Sequence, residues 1–432
     1  MTDYHRFSRR RFIGAAAITG GAVAVPLALS RAGGSSQQAL LSADAGTGGS
    51  TIGDTTTSTA APASDVTATD TVLVAIHLDG GNDGLNTIVP TADALYRSLR
   101  GEGVVDSDNI EKLDDTWGLA SMPYLASRWD VDELAVVHGV GIRDGTLSHF
   151  EAVDMWNAAD TGNTMYDGWG GRAVEAIAGE QADPLTGVCV GGFSQALMGR
   201  SWSPFTLPID TELPWTSEFV EANPGLVAGL QSMLDGPYEG LAGEVVSSHL
   251  QLKDVGERID AARPDGEGRG GSGRANTGEI SRSLEVVADV VNADLGTRIF
   301  NVSHGGFDTH ANQLASHPDL LTLLDDALSA FHDRLGENRE KVVVMVWTEF
   351  GRRVAFNGSG TDHGAASVGL VLGSAVAGGH HGEAPDLAAL DQAGNLPVTT
   401  DFRDYLTGVC SSALGVGPDV ISPSATPLEV LT

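Results

Sequence analysis

Lys341-Val-Val-Val-Met-Val-Trp-Thr-Glu-Phe-Gly-Arg-Arg353 is the stretch on which the fold turns. Six consecutive apolar residues, Val342 to Trp347, are followed by Thr348-Glu349-Phe350-Gly351. An unbroken apolar run of this length reads as a strand buried on both faces of a parallel sheet. The Gly and the two Arg mark the point where the chain leaves the sheet. A carboxylate placed there lies outside the carboxyl end of a strand, where open α/β sheets keep their ligands. The same grammar recurs twice. Val72–Leu78 runs into Asp79-Gly80-Gly81-Asn82-Asp83-Gly84, and Arg298–Val302 leads to His304-Gly305-Gly306-Phe307-Asp308-Thr309-His310. Three apolar runs from distant parts of the chain each lead into a carboxylate near glycine, a constellation that points to a metal site.

Further buried runs fall at Leu134–Val137, Gly187–Val190 and Val368–Leu372. Helical stretches are expected at Ala92–Leu99, Ser121–Trp129, Trp169–Ala178, Ile280–Leu295, Leu320–Leu335 and Thr399–Leu414. In the strongest of these, Leu321, Leu324, Leu328, Phe331 and Leu335 form one apolar stripe. Alternating strands and helices predict an α/β domain over 71–432, with a mostly parallel central sheet and helices on both faces. The proline-rich residues 201–240 and the Gly/Arg/Asp-rich residues 263–278 predict an irregular insertion over 201–278.

The N-terminus reads as a targeting segment. Ser8-Arg9-Arg10-Arg11-Phe12-Ile13 matches the twin-arginine pattern, and a mild Ala/Gly/Val segment follows to Leu29. Residues 1–32 are therefore expected to be a signal peptide handled by the twin-arginine translocation machinery. That route delivers a folded protein to the periplasm or beyond, with no stable membrane span after cleavage. Residues 33–70, rich in Ser, Thr, Gly, Ala and Asp, cannot bury enough surface to offset their ordering entropy and read as a disordered linker.

The formal charge is −32, and after Arg31 the chain holds 20 basic and 56 acidic residues. Nucleic-acid binding rests on Lys and Arg meeting phosphates, so this balance excludes nucleic acid as a partner. Cys189 and Cys410 allow at most one disulfide, and two buried free thiols is the simpler reading.

The motifs carry a resemblance. Leu78-Asp79-Gly80-Gly81-Asn82-Asp83-Gly84-Leu85-Asn86, Ser148-His149-Phe150-Glu151, Gly305-Gly306-Phe307-Asp308-Thr309-His310-Ala311-Asn312-Gln313, Glu349-Phe350-Gly351-Arg352-Arg353 and Gly360-Thr361-Asp362-His363-Gly364 occur in that order. From about Thr71 to the C-terminus the chain resembles exported, sulfatase-like bacterial proteins of a family labelled a domain of unknown function. That family is grouped with the alkaline phosphatase superfamily, which includes phosphatases, sulfatases and cofactor-independent phosphoglycerate mutases. The resemblance implies divalent metal, with zinc or manganese ahead of calcium or magnesium. It assigns Asp79, Asp308, His310, Glu349 and His363 as metal ligands and Ser148 as nucleophile, while Arg352 is a candidate for substrate anion binding. Three departures stand out. Glu349-Phe350 replaces an Asp-His pair, His310 follows Asp308 by two residues rather than four, and the absence of Cys near 148 rules out a formylglycine there.

Each of these residues also has a plainer reading. Asp79 can be a turn former. Glu349 can pair with Arg352 or Arg353. Ser148 can cap a helix, with Glu151 completing a capping box. His363 can be a loop hydrogen-bonder, His138 and His149 structural histidines, and His380-His381 a surface pair. Two functions follow. One is an exported metal-dependent hydrolase of small anionic phosphate or sulfate esters. The other is a catalytically degenerate relative acting as a binding or surface-assembly protein.

Overall fold

The structure, a computed structural model, describes residues 69–162, 165–179, 182–209, 217–262 and 278–432. The expected signal peptide, the linker up to residue 68 and residues 263–277 lie outside the described residues. By compactness the chain forms two units, one containing 212–261 and the other 64–211 with 262–432.

The second unit is α/β, as its alternating pattern predicts. Its large sheet is built from β1 (Val72–Asp79), β5 (Leu134–Gly141), β6 (Gly187–Val190), β7 (Phe205–Leu207), β8 (Ile299–Gly305), β9 (Val342–Trp347), β12 (Ser367–Leu372), β13 (Gly379–His381) and β14 (Thr400–Asp401). The order is β13-β5-β12-β9-β1-β8-β6-β7, with β14 also on β5. The short strands β2 (Ile88–Val89), β3 (Ile110–Lys112) and β4 (Gly118–Ala120) form a separate three-stranded sheet, and β10 (Gly351–Phe356) pairs with β11 (Thr361–Gly364) as a hairpin.

All neighbours in the large sheet are parallel except β12, which is antiparallel to both β5 and β9. The connection explains the exception. Parallel neighbours need a crossover, usually helical, whereas the chain between β9 and β12 holds only the β10–β11 hairpin and returns directly.

Position in the sheet matters more for function than strand count. β1 lies between β9 and β8, with Asp79 in register with Gly305 and His77 with Trp347. The three strands are parallel, so the three motifs that follow them emerge side by side at one sheet edge. Leu73 to Ile76 are fully buried, as a central strand covered on both faces should be.

Helices flank the sheet. In the Phe402–Leu414 helix, Phe402, Leu406, Val409, Cys410 and Leu414 are buried, and the Tyr405 hydroxyl donates to the Val346 carbonyl at 2.9 Å. Asp401 caps this helix through the Arg403 N–H. The apolar stripe from Leu321 to Leu335 is buried, but its helix begins earlier, at Gln313, and carries Pro318 inside it. The proline falls within the second turn, where its missing N–H removes the helical bond to the Leu314 carbonyl. Cys189 and Cys410 are buried and unpaired, and burial pushes the Cys189 thiol up to about 12.

The stretch 201–278 is more regular than its prolines suggest. Pro204 and Pro208 bracket β7, an edge strand, where proline is tolerated. The other unit contains helices Ser217–Ala222, Pro224–Leu234 and Gly240–Ala262. Pro224 occupies a first helical position, where a missing N–H removes no helical bond. Pro204, Pro208 and Pro224 are here strand borders and a helix start, and Pro214 lies outside the described residues.

Candidate metal centre

Glycine sets up the site. Gly80 and Gly81 have φ of 122° and 80°, a region L side chains rarely enter. A Cβ on Gly80 would lie 2.3 Å from the Asp308 nitrogen, so the turn after β1 and the segment after β8 are in direct backbone contact. The Phe307 N–H donates to the Asp79 carbonyl at 3.1 Å. Beyond it the chain bends tightly, with Thr309 N–H bonded to Phe307 O at 2.8 Å and His310 N–H to Asp308 O at 3.0 Å. This is the bend that Asp308 and His310 require if both are to serve one ion.

The polar groups converge as follows. His310 Nε2 and His363 Nε2 are 2.9 Å apart. Each also faces Asp308 Oδ1, at 3.1 and 3.2 Å. His149 Nε2 lies 3.6 Å from Asp308 Oδ2, and this buried nitrogen has no hydrogen-bond partner. The far side of each imidazole is engaged. His363 Nδ1 lies 2.8 Å from the Leu147 carbonyl, His149 Nδ1 is 2.7 Å from Glu349 Oε1, and His310 Nδ1 is 3.4 Å from Asp362 Oδ1. A carbonyl or carboxylate accepts only, so in their neutral form His149 and His363 carry the hydrogen on Nδ1 and keep a lone pair on Nε2, whereas the His310–Asp362 contact is an ion-pair distance that fixes no tautomer.

In that form His149, Asp308 and His363 present ligand atoms that all lie within 4.8 Å of one another, a group that could hold a cation, and His310 stands beside it against Asp308 and His363. Ligand atoms around a tetrahedral zinc at about 2.0–2.1 Å are about 3.3 Å apart, close to the separations seen here. Burial pushes the Asp308 carboxyl up, but the Arg352 hydrogen bond and charge outweigh it and hold the group below its ordinary value.

Glu349 is fully buried. Its Oε1 accepts from the Gly80 N–H at 3.0 Å and from His149; its Oε2 meets His77 Nε2 and the Thr348 hydroxyl, both at 3.1 Å. Burial alone would raise its pKa; the His77 and His149 hydrogen bonds win and hold it at about 2. His77, Asp79 and Glu349 form a second group whose potential ligand atoms lie within 4.8 Å of one another. The His77 ring stacks on Trp347 at 3.9 Å, which fixes its orientation.

All five expected ligands thus meet at one sheet edge. Arg352 is placed otherwise than a substrate-binding arginine requires. It is 1% exposed, and its guanidinium donates to the carbonyls of Gly80, Gly81, Phe307 and Thr361 and to Asp308 Oδ1. It clamps the turn and aims Asp308. Ser148 precedes the His149–Ala158 helix at its N-cap position, but its side chain makes no capping bond. The expected capping box does not form, because Glu151 accepts from the Thr146 hydroxyl instead.

Two members of the site were not singled out as ligands from the sequence. His77 precedes Asp79 by two residues on a strand, hence shares its face, and that spacing was the available signal. His149 had no such signal: its partner Glu349 is 200 residues away. A buried polar network braces the turn from below. Asp83 pairs with Arg100 at 2.7 Å and accepts from Gln313, while Asn82 meets His317 at 2.9 Å. His380 is not a free surface residue either, since it bonds to His138 and Asp114.

The chain has distant likenesses among solved structures. One is the C-terminal periplasmic domain of EcEptC from Escherichia coli, in complex with Zn, at 10% identity and a TM-score of 0.38 over 82% of this chain and 84% of that one. Another is Ps i-CgsB, at 10% identity and a TM-score of 0.34 over 80% and 72%. A third is the PH0037 protein from Pyrococcus horikoshii, at 11% identity and a TM-score of 0.30 over 71% and 86%. Among curated proteins no sequence matches significantly. Residues 272–402, which carry Asp308, His310, Glu349 and His363, match the family model described as "Protein of unknown function (DUF1501)".

Proposed function

We propose that the chain is an exported, metal-dependent hydrolase of phosphate or sulfate esters. The observation that carries this reading is the group of His149, His363 and Asp308, in which both imidazoles face Asp308 through Nε2 and are held by an acceptor on Nδ1. Carboxylate or carbonyl support behind a ligating histidine is the usual outer shell of a metal site. In this reading Asp308, His310, His363 and His149 hold the ion. Glu349 positions His149 and His77, and Asp79 offers a carboxylate at the rim. Three imidazoles and one carboxylate suit zinc or manganese better than calcium or magnesium, which prefer oxygen. The bound ion would polarise the ester oxygens and stabilise the charge that develops on them.

Ser148 is the proposed nucleophile. Its hydroxyl is free of a capping bond, and the adjoining helix N-terminus offers N–H groups to an anionic oxygen. The overall charge repels anionic substrates, so attraction is local, from the ion and these donors. Export by the twin-arginine route remains part of the proposal; among the described residues no helix is long and apolar enough to cross a membrane.

One observation favours a catalytically degenerate binder. Both Glu349 oxygens already accept from protein donors, so a second ion beside His77 and Asp79 would have a weak seat. The test is metal analysis of the purified protein together with turnover of 4-nitrophenyl phosphate, bis(4-nitrophenyl) phosphate and 4-nitrophenyl sulfate, with zinc, manganese or calcium. The hydrolase reading expects metal-dependent turnover that falls by several orders of magnitude in Ser148→Ala and in Asp308→Asn. Turnover indifferent to Ser148→Ala would assign the attack to water. Tight metal binding with no turnover of any ester would support the binder.

A further inference from the structure

A second cluster of titratable groups lies apart from the metal centre and lines a cavity. His138 of β5 and His380 of β13 are joined by a 2.8 Å contact between His138 Nε2 and His380 Nδ1. His380 Nε2 in turn lies 3.1 Å from Asp114 Oδ2. Trp117 and Trp129 pack around the pair, with ring centroids 4.6 Å from His138 and 4.7 Å from His380 respectively. The cavity, about 520 Å³, is walled by Leu85, Ile88, Trp117, Val368, Leu387 and Leu396, with His138 and, among other polar residues, Asp93 in its lining. That is far larger than a packing void and in the range of small-molecule sites, which join an apolar wall to a few placed polar groups.

The chain of bonds fixes the chemistry of His138. Asp114 Oδ1 accepts the Thr116 and Trp117 N–H groups and the Thr116 hydroxyl, so Asp114 acts throughout as an ionised acceptor. Burial would raise its pKa, but these bonds hold it at about 2. Burial holds His138 down at about 4 and lowers His380 as well, so both imidazoles are neutral at pH 7. His380 must then donate from Nε2 to Asp114, leaving Nδ1 as acceptor. His138 must donate from Nε2 to His380, leaving its own Nδ1 with a lone pair. Among the described residues that Nδ1 has no hydrogen-bond partner.

We infer that this cavity is a second ligand site, which takes a small, largely apolar molecule with one N–H or O–H donor, received by His138 Nδ1. The relay from Asp114 through His380 serves to present an acceptor rather than a donor. Anionic ligands are disfavoured by the apolar wall and by the Asp93 carboxylate in the lining.

The test is calorimetric titration of the full chain with indole, 3-methylindole and 1-methylindole. The two methylindoles have the same formula, but only 3-methylindole keeps the N–H. Indole and 3-methylindole are expected to bind, with 1-methylindole about tenfold weaker, the worth of one hydrogen bond. Leu387→Trp fills the cavity and should abolish binding while the fold, followed by circular dichroism, is kept. Asp114→Asn presents an N–H to His380 and reverses the relay, so His138 Nδ1 becomes a donor. That variant should lose its preference for indole and gain affinity for quinoline, a pure acceptor. Histidine ¹⁵N shifts should show His138 as the Nε2–H form in wild type and the Nδ1–H form in Asp114→Asn. Equal binding of the two methylindoles, undiminished binding in Leu387→Trp, or no binding of any probe at millimolar concentration would each overturn the inference.

Discussion

Arg352→Met should lower stability before anything is asked of turnover. The guanidinium is buried and donates to four carbonyls, those of Gly80, Gly81, Phe307 and Thr361, as well as to Asp308. Methionine fills much of the same volume, so the loss is chiefly polar. Each carbonyl stranded in a buried site costs about 1–3 kcal/mol, although such terms do not add fully. Breaking one side of a buried charge pair costs about 3–5 kcal/mol, discounted here because Asp308 is half exposed. A loss of about 4 kcal/mol is the working figure, at the upper end for a single substitution. For a large domain this corresponds to a fall in Tm on the order of 8 °C. Arg352→Lys keeps the charge but has three donors at one point, so it should fall between methionine and wild type. Thermal unfolding by calorimetry measures both. If Arg352→Met melts within about 2 °C of wild type while ester turnover vanishes, Arg352 binds substrate and the structural account of it is wrong.

Gly80→Ala should strike the same junction from the other side: the new Cβ meets the Asp308 backbone and φ is 122°, so roughly 2–5 kcal/mol of strain and overlap is expected. Metal content should fall along with Tm, and a variant holding wild-type zinc would show that Asp308 need not stay where it is. Asp325 gives a pH test. It caps the Pro123–Trp129 helix by accepting the Tyr124 and Leu125 N–H groups, and burial pushes its pKa up to about 6 despite those bonds. The unfolded value is about 3.9, so protonation favours the folded state. The stability present below about pH 4 is lost as pH rises through 6. The Tm of wild type relative to Asp325→Asn should therefore decline between pH 4 and 7, and a difference independent of pH would refute the assignment. Replacing Arg9 and Arg10 by Lys should leave full-length precursor in the cytoplasm, seen by fractionation; unchanged export would dismiss the twin-arginine reading.

Much of this protein is legible along the chain because local chemistry writes it there. A strand buried on both faces must be apolar throughout, so Val72–Leu78 and Val342–Trp347 announce themselves, and parallel strands must alternate with helices. Acidic residues and glycine after such strands mark Asp79, Asp308 with His310, and Glu349 as candidates at the ligand edge, while His363 became a candidate only through the resemblance. The charge balance sets the expectation that nucleic acid is not a partner. Tertiary structure decided what depends on partners far off in sequence. Whether Glu349 is a ligand or a positioning carboxylate depends on His77, His149 and Gly80 reaching it. Whether Arg352 meets substrate or backbone depends on where the glycine turn carries its carbonyls. The direction of β12 depended on how the chain returns from β9, and the roles of Pro204, Pro208 and Pro224 on which strand or helix they border. Residue type states what a side chain can donate or accept; only the fold supplies the atom on the other side of the bond, and with it the tautomer, the charge and the role.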